Sequence, residues 1–316
     1  MKIKVLTGLL ALSLLLNIAG LVFFISFMGQ QGKLRTLKRE NRAMAQNLTV
    51  VRAANVVDDA LESGKVVKHT FASLVDGRED WYALCLPSRP SMDNTLIVYL
   101  HGMGNNPLEP FEYPSGTPAA QAITGKFPDV CLLSCDYREK SSWGSDAAMS
   151  DITQNVREIM QQLPIKRIVL MGTSMGACTV LTYATVAPID IRKKLVGIVS
   201  VEGSGNLKDL YHATQNAEVN MALTAAMGGD PKTAGAEYER RSFIPNADKL
   251  PQDVRVAIVS AQHDRIVPPA LQQQIVDELN KLSVPVKLIS VESGHGMAPA
   301  PAYIEGLQFA LGTGAH

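Results

Sequence analysis

Three residues far apart in the chain, Ser174, Asp264 and His295, have the side chains needed to cleave an acyl bond. A serine hydroxyl is a weak nucleophile near neutral pH. It needs a base to take its proton, and the base needs a carboxylate to fix its tautomer. Ser174 lies in Gly172-Thr173-Ser174-Met175-Gly176, a G-x-S-x-G turn between an apolar run and a helical stretch. There Gly172 and Gly176 keep side chains out of a tight turn, while the serine is held in a strained conformation that exposes its hydroxyl. Of the six histidines, position singles out His295, in Ser293-Gly294-His295-Gly296 just past the last apolar run. His69 lies in an early hairpin, His101 in a separate glycine motif and His263 in the lead to Asp264. His212 and His316 read as surface residues. Asp264 follows the penultimate run. Glu202 follows an earlier run and is the rival acid. It reads better as a helix-cap or loop carboxylate, because Ser, Asp, His is the order that accompanies this turn.

A tetrahedral intermediate also needs donors for its oxyanion. In His101-Gly102-Met103-Gly104, Gly102 and Gly104 let backbone N–H groups approach a substrate oxygen. The expected donors are the amides of Met103 and Met175, the latter at the start of a helix. The His101 ring is read as a structural group that holds this loop. The chemistry calls for no metal and no organic cofactor. Cys85, Cys131, Cys135 and Cys178 have no metal-ligand spacing. Cys131 and Cys135 would stand roughly 13 Å apart on one strand, too far for a disulfide, so the cysteines read as buried free thiols.

These residues need a frame that delivers them to one place. Runs at 69–74 and 81–86 flank Asp76-Gly77 and predict a hairpin. Nearly continuous apolar runs follow at 95–100, 130–135, 167–171, 195–201, 254–260 and 286–291. That is how parallel strands buried on both faces read. Helical stretches lie between or after them, at 147–163, 177–186, 270–282 and 302–311. The alternation predicts an α/β fold, a mostly parallel, doubly wound sheet flanked by helices, with ligands at the carboxyl ends of the strands. Every motif above falls at such an end.

The GTSMG turn, the HGMG loop, the acid loop HDRIVPP and the SGHG histidine together resemble the α/β-hydrolase superfamily of serine hydrolases. The HGMG loop looks like the HGxG element of its lipases and esterases. The resemblance covers about residues 66–314 and extends to single-domain esterases and to prolyl-oligopeptidase-like catalytic domains. It implies the α/β-hydrolase fold and a triad of Ser174, Asp264 and His295. Two features depart from the peptidase pattern: no β-propeller precedes the domain, and Glu139-Lys140 stands where a glycine is common.

Residues 5–28 form an uncharged apolar run of roughly 36 Å at about 1.5 Å per residue, long enough to span a bilayer. No A-x-A cleavage site ends it, so it is expected to be a permanent anchor rather than a signal peptide. The expected organisation is a transmembrane helix at 1–30, a helical stalk at 31–65 and a catalytic domain at 66–316. Basic residues at 33–42 argue for an inward-facing domain, and the short basic tail before the run for an outward one. The reading adopted is a single-pass membrane protein with an extracytoplasmic catalytic domain. Leu34, Leu37, Asn41, Met44, Leu48 and Val51 follow heptad spacing and leave weak dimerisation through the stalk open beside a plain polar stalk. Thirty Lys and Arg balance thirty Asp and Glu, which excludes a basic nucleic-acid footprint.

The function expected is hydrolysis of a small-molecule acyl substrate, first a carboxylic ester, through an acyl-enzyme on Ser174. A peptidase or amidase of the prolyl-oligopeptidase-like type is the alternative, and an inactive binding module at the membrane is the alternative of another class. The insertion 202–253, with Leu210, Tyr211, Met221, Leu223 and Met227, is either a lid lining an acyl pocket or ordinary core packing. Tyr113 and Trp143 are candidates for another wall of that pocket.

Overall fold

The computed structural model describes residues 66–89, 91–112, 117–138 and 140–313. The expected anchor and stalk lie outside these residues, as does Tyr113. Among the described residues no helix is long and apolar enough to cross a membrane. Eight strands form one sheet: β1 (Val66–Ala72), β2 (Glu79–Cys85), β3 (Asn94–Leu100), β4 (Val130–Cys135), β5 (Ile165–Thr173), β6 (Leu195–Val201), β7 (Arg255–Ala261) and β8 (Val286–Val291). Their order is β1-β2-β4-β3-β5-β6-β7-β8. β2 runs antiparallel to both β1 and β4, and every other pair is parallel. This is the expected mostly parallel α/β sheet, and the fold is α/β-hydrolase-like.

The helices are α1 (Ala119–Lys126), α2 (Asp146–Gln162), α3 (Met175–Val186), α4 (Ile189–Arg192), α5 (Leu207–Ala213), α6 (Ala217–Met227), α7 (Gly235–Arg240), α8 (Pro269–Lys281) and α9 (Ala300–Leu311). Successive strand residues point to opposite faces, so each central strand feeds two cores. Leu96, Val98 and Leu100 of β3 pack with Ile152 of α2, Leu181 of α3 and Ile275 of α8. Ile97 and Tyr99 face the other side, with Ile123 of α1 and Leu307 of α9. α9 lies close on β6 because a glycine stands on each side: a Cβ on Gly197 would come within 2.5 Å of Ala310 Cβ, and one on Gly306 within 2.8 Å of Val199.

Two differences from expectation have local causes, and the insertion takes one of the two readings left open for it. β5 runs two residues further at each end than the apolar run 167–171, so it carries Thr173 to the edge of the Ser174 turn. β8 is not buried on both faces: it is the edge strand, and Leu288 is exposed while Ile289 packs under α9. In the insertion, Leu210, Leu223 and Met227 join the core around α3 and α8, whereas Met221 is exposed. Core packing, the second of the two readings, describes the three buried side chains. Trp143 is likewise buried in that core.

Candidate active site

Ser174 is built by the strand–turn–helix junction that its glycines permit. It has φ +54° and ψ −115°, in the left-handed half of the map that a side chain rarely adopts. A Cβ on Gly172 would stand 2.5 Å from the Gly176 carbonyl carbon, and one on Gly176 would overlap the Leu100 carbonyl. Any side chain at either position would force β5, β3 and α3 apart. Ser174 begins α3 without capping it through its side chain, so the hydroxyl is free for another partner. That partner is His295, whose Nε2 lies 2.8 Å from Ser174 Oγ.

His295 projects from the loop between β8 and α9, and its Nδ1 lies 2.6 Å from Asp264 Oδ2. Asp264 is itself fixed: its Oδ1 accepts the N–H groups of Ile266 and Val267, each at 2.8 Å. The three residues singled out in the sequence, from the ends of β5, β7 and β8, thus form one continuous line of hydrogen bonds. Burial pulls the His295 imidazole down. The hydrogen bond and charge of Asp264 outweigh it, with help from Glu202 and Glu109, and leave the pKa above the ordinary 6.5.

The HGMG loop stands against the serine. A Cβ built on Gly102 would lie 3.6 Å from Ser174 Cβ, and Gly104 has φ +82° with its N–H donating to the Lys140 carbonyl at 2.7 Å. Met175 opens α3, so its N–H belongs to the first turn that lacks intrahelical acceptors. Met103 is half-buried in the same loop as Gly102. The His101 ring is fully buried, with Nδ1 2.8 Å from the Gly102 carbonyl and Nε2 3.2 Å from the Asp136 carbonyl. Tyr137 OH donates to the His101 carbonyl at 2.5 Å. His101 therefore holds the loop and does not reach the serine's hydrogen-bond line.

Two further carboxylates stand at the site: Glu109, not foreseen from the sequence, and Glu202, weighed there only as the rival acid. Glu109 follows the HGMG loop in a three-residue 3-10 turn (Glu109–Phe111). Its Oε2 accepts the Gly102 N–H at 2.9 Å and its Oε1 accepts Tyr99 OH at 2.7 Å. Glu202, read from the sequence as a helix-cap or loop carboxylate, does lie in the loop after β6, but it is buried there and caps no helix; Asn206 caps α5. It is fully buried, accepts the Gly296 N–H through Oε2, and places that oxygen 3.6 Å from His295 Nδ1. Burial, with Asp264 nearby, pushes its carboxyl up to about 7 against the opposing pull of the Gly296 N–H, His295 and the Ala298 N–H. Only its position after β6 hinted at this in the sequence, because the contact depends on how the 295–298 loop folds back.

A cavity of about 510 Å³ opens beside the serine, lined by Tyr99, Glu109, Thr173, Gly296, Ala298 and Tyr303 among others. Hydroxyls of Tyr99 and Tyr303 meet Thr173 Oγ1 at 2.8 and 3.2 Å on its wall. The cavity is thus bounded by the loop after β3 and the start of α9, not by the insertion 202–253. The four cysteines are free and buried, as expected. Among the described residues, Glu202, Asp264 and His295 form the grouping of acidic and histidine donors close enough to share an ion. The Nδ1 atom of that grouping is already engaged by Asp264.

Against known proteins, residues 137–311, more than half of the chain, match the prolyl oligopeptidase family. The match begins two residues before Glu139-Lys140, so that departure does not set the chain apart. No curated protein matches it significantly. Among solved structures, an acylaminoacyl peptidase of Pyrococcus horikoshii is 14% identical with a TM-score of 0.60, over 79% of this chain and 41% of that one. A puromycin-hydrolyzing peptidase of Mycobacterium tuberculosis is 18% identical with a TM-score of 0.62, over 79% and 39%. An S-formylglutathione hydrolase of Staphylococcus aureus is 14% identical with a TM-score of 0.59, over 78% and 97%. The match thus spans about two fifths of each peptidase and nearly the whole of the smaller hydrolase.

Proposed function

The chain belongs to the prolyl oligopeptidase family, and from that premise we propose that this serine hydrolase cleaves peptide or amide bonds through an acyl-enzyme on Ser174. The observation that carries the reading is the unbroken line Asp264–His295–Ser174 within the matched segment. Ser174 Oγ attacks the carbonyl carbon as its proton passes to His295 Nε2, and Asp264 holds the Nδ1 proton and steadies the imidazolium. The oxyanion is received by the Met103 and Met175 N–H groups, each contributing about 3 kcal/mol in the transition state. His295 then protonates the leaving amine, and water activated by the same ring releases the acid and restores Ser174.

Family membership moves the peptidase alternative ahead of the ester reading favoured by the sequence. Ester or thioester hydrolysis remains a second reading, supported by the nearly complete coverage of the S-formylglutathione hydrolase, whose named substrate is a thioester. Parallel panels of aminoacyl or peptidyl p-nitroanilides and p-nitrophenyl esters test the choice. Turnover of anilides at kcat/KM comparable to matched esters is expected, and turnover of esters alone would replace the first reading with the second. The proposal includes an anchor at 5–28. The full chain should resist alkaline extraction from membranes, and a chain without 1–30 that resists equally would remove the anchor.

A further inference from the structure

We propose that Glu202 is a second acid on His295, a positioning residue that shares the imidazole Nδ1 edge with Asp264 and carries the orienting role when Asp264 is lost. The proposal rests on the triad reading above and adds a residue to it. Glu202 is tied into the sheet by its N–H, which donates to the Val259 carbonyl at 2.8 Å. It has φ +55°, a conformation that costs a non-glycine residue about 1 kcal/mol or more. Its carboxyl is fully buried and Oε1 has no partner, a further cost that a loop residue in contact with water would avoid. All of this places Oε2 between the Gly296 N–H and His295 Nδ1. One carboxylate oxygen each of Glu202 and Asp264 and a ring nitrogen of His295 lie within 4.8 Å of one another. One carboxylate bonds the ring, and the other stands one short shift away with an unused oxygen.

The groups facing His295 are Asp264, Glu202, Glu109 and the Ser174 hydroxyl. Those facing Glu202 are His295, Asp264 and the N–H groups of Gly296 and Ala298, with Tyr303 beyond. None of these charged groups is basic apart from His295, so an ionised Glu202 favours the imidazolium. Removing its charge should therefore lower the pH at which His295 gains its proton. A Gln at 202 retains an oxygen for the Gly296 N–H and loses the charge, which separates orientation of the ring from simple support of the loop.

The test is the rate at which a fluorophosphonate probe labels the full-length chain from pH 5 to 9. The variants are Ser174→Ala, Glu202→Gln, Asp264→Ala and the double variant Glu202→Gln/Asp264→Ala. Glu202→Gln alone should slow labelling about threefold at high pH and move the acid limb down by about one pH unit. Asp264→Ala should lose about 10²-fold, not the roughly 10⁴-fold that follows complete loss of an orienting acid, and the double variant should lose about 10²-fold more. An unmoved acid limb, or an equal Glu202→Gln factor in both backgrounds, overturns the proposal. If Asp264→Ala does not fold, the limb of the near-isosteric Glu202→Gln decides alone. Undiminished labelling of Ser174→Ala would instead overturn the triad reading, and this proposal with it.

Discussion

Ser174 holds a backbone conformation that costs about 1–3 kcal/mol, and its hydroxyl meets His295 instead of closing the helix that it begins. The strain is sustained by the packed junction around it and sets the proposed nucleophile above the end of β5. At His295 two opposing effects meet. Burial favours the neutral ring, and three acidic groups favour the charged one; the acids prevail, so the pKa lies above 6.5. In the proposed mechanism neutral His295 is the form that takes the serine proton. Activity should therefore be full at alkaline pH and fall as pH drops through the raised pKa. A pH profile of kcat/KM should show its acid midpoint above 6.5, and a midpoint below that value would contradict the electrostatic picture.

The elements explain why the site was so largely legible. Strands β3 to β7 are largely buried on both faces, so their sequences are nearly continuous apolar runs and their carboxyl ends could be located from them. Ser174 follows the end of β5 at once, and Asp264 and His295 lie within four residues of the ends of β7 and of the edge strand β8. Glu202 also follows one, but its partner is a loop about ninety residues later, and no local pattern encodes that approach. Glu109 was not visible for the same reason: it reaches back to Gly102 from a turn without periodicity. β8 was misread because an edge strand covered by α9 on one face can be as apolar in sequence as a central one. The glycines allow a direct check on the junction. Gly176→Ala puts a methyl into the Leu100 carbonyl and should destabilise the protein by about 3 kcal/mol or more in urea unfolding. Gly125→Ala, in α1 with open space at its Cβ, should be stabilising by about 0.5–1 kcal/mol. Equal effects would mean that close packing at the elbow does not set its shape.

Across the whole molecule, the hairpin at the far edge of the sheet is held to α2 by the buried cation of Arg138, beside Gln154, which accepts the Leu74 N–H and donates to the Ala72 carbonyl. Arg138, at φ +89°, binds Asp76 in the β1–β2 turn at 2.6 Å and Asp151 of α2 at 2.5 Å, with Ser73 beside them. Asp151 is fully buried, so Arg138→Met would leave a buried carboxylate without its cation. That should cost about 3–5 kcal/mol. Arg157→Met, which breaks the exposed pair with Asp190, should cost about 0–1 kcal/mol by the same unfolding measurement. Similar losses for the two would show that Arg138 is not the tie. At the same carboxyl end of the parallel strands, the sheet brings residues from the ends of β5, β6, β7 and β8 to one imidazole, and the account depends on Ser174 being the nucleophile there. Mass spectrometry of the full chain after treatment with a fluorophosphonate tests this most directly. The account predicts one adduct, on the peptide containing Ser174 and absent in Ser174→Ala. A folded wild-type protein that takes up no label, or carries it on another residue, would contradict it.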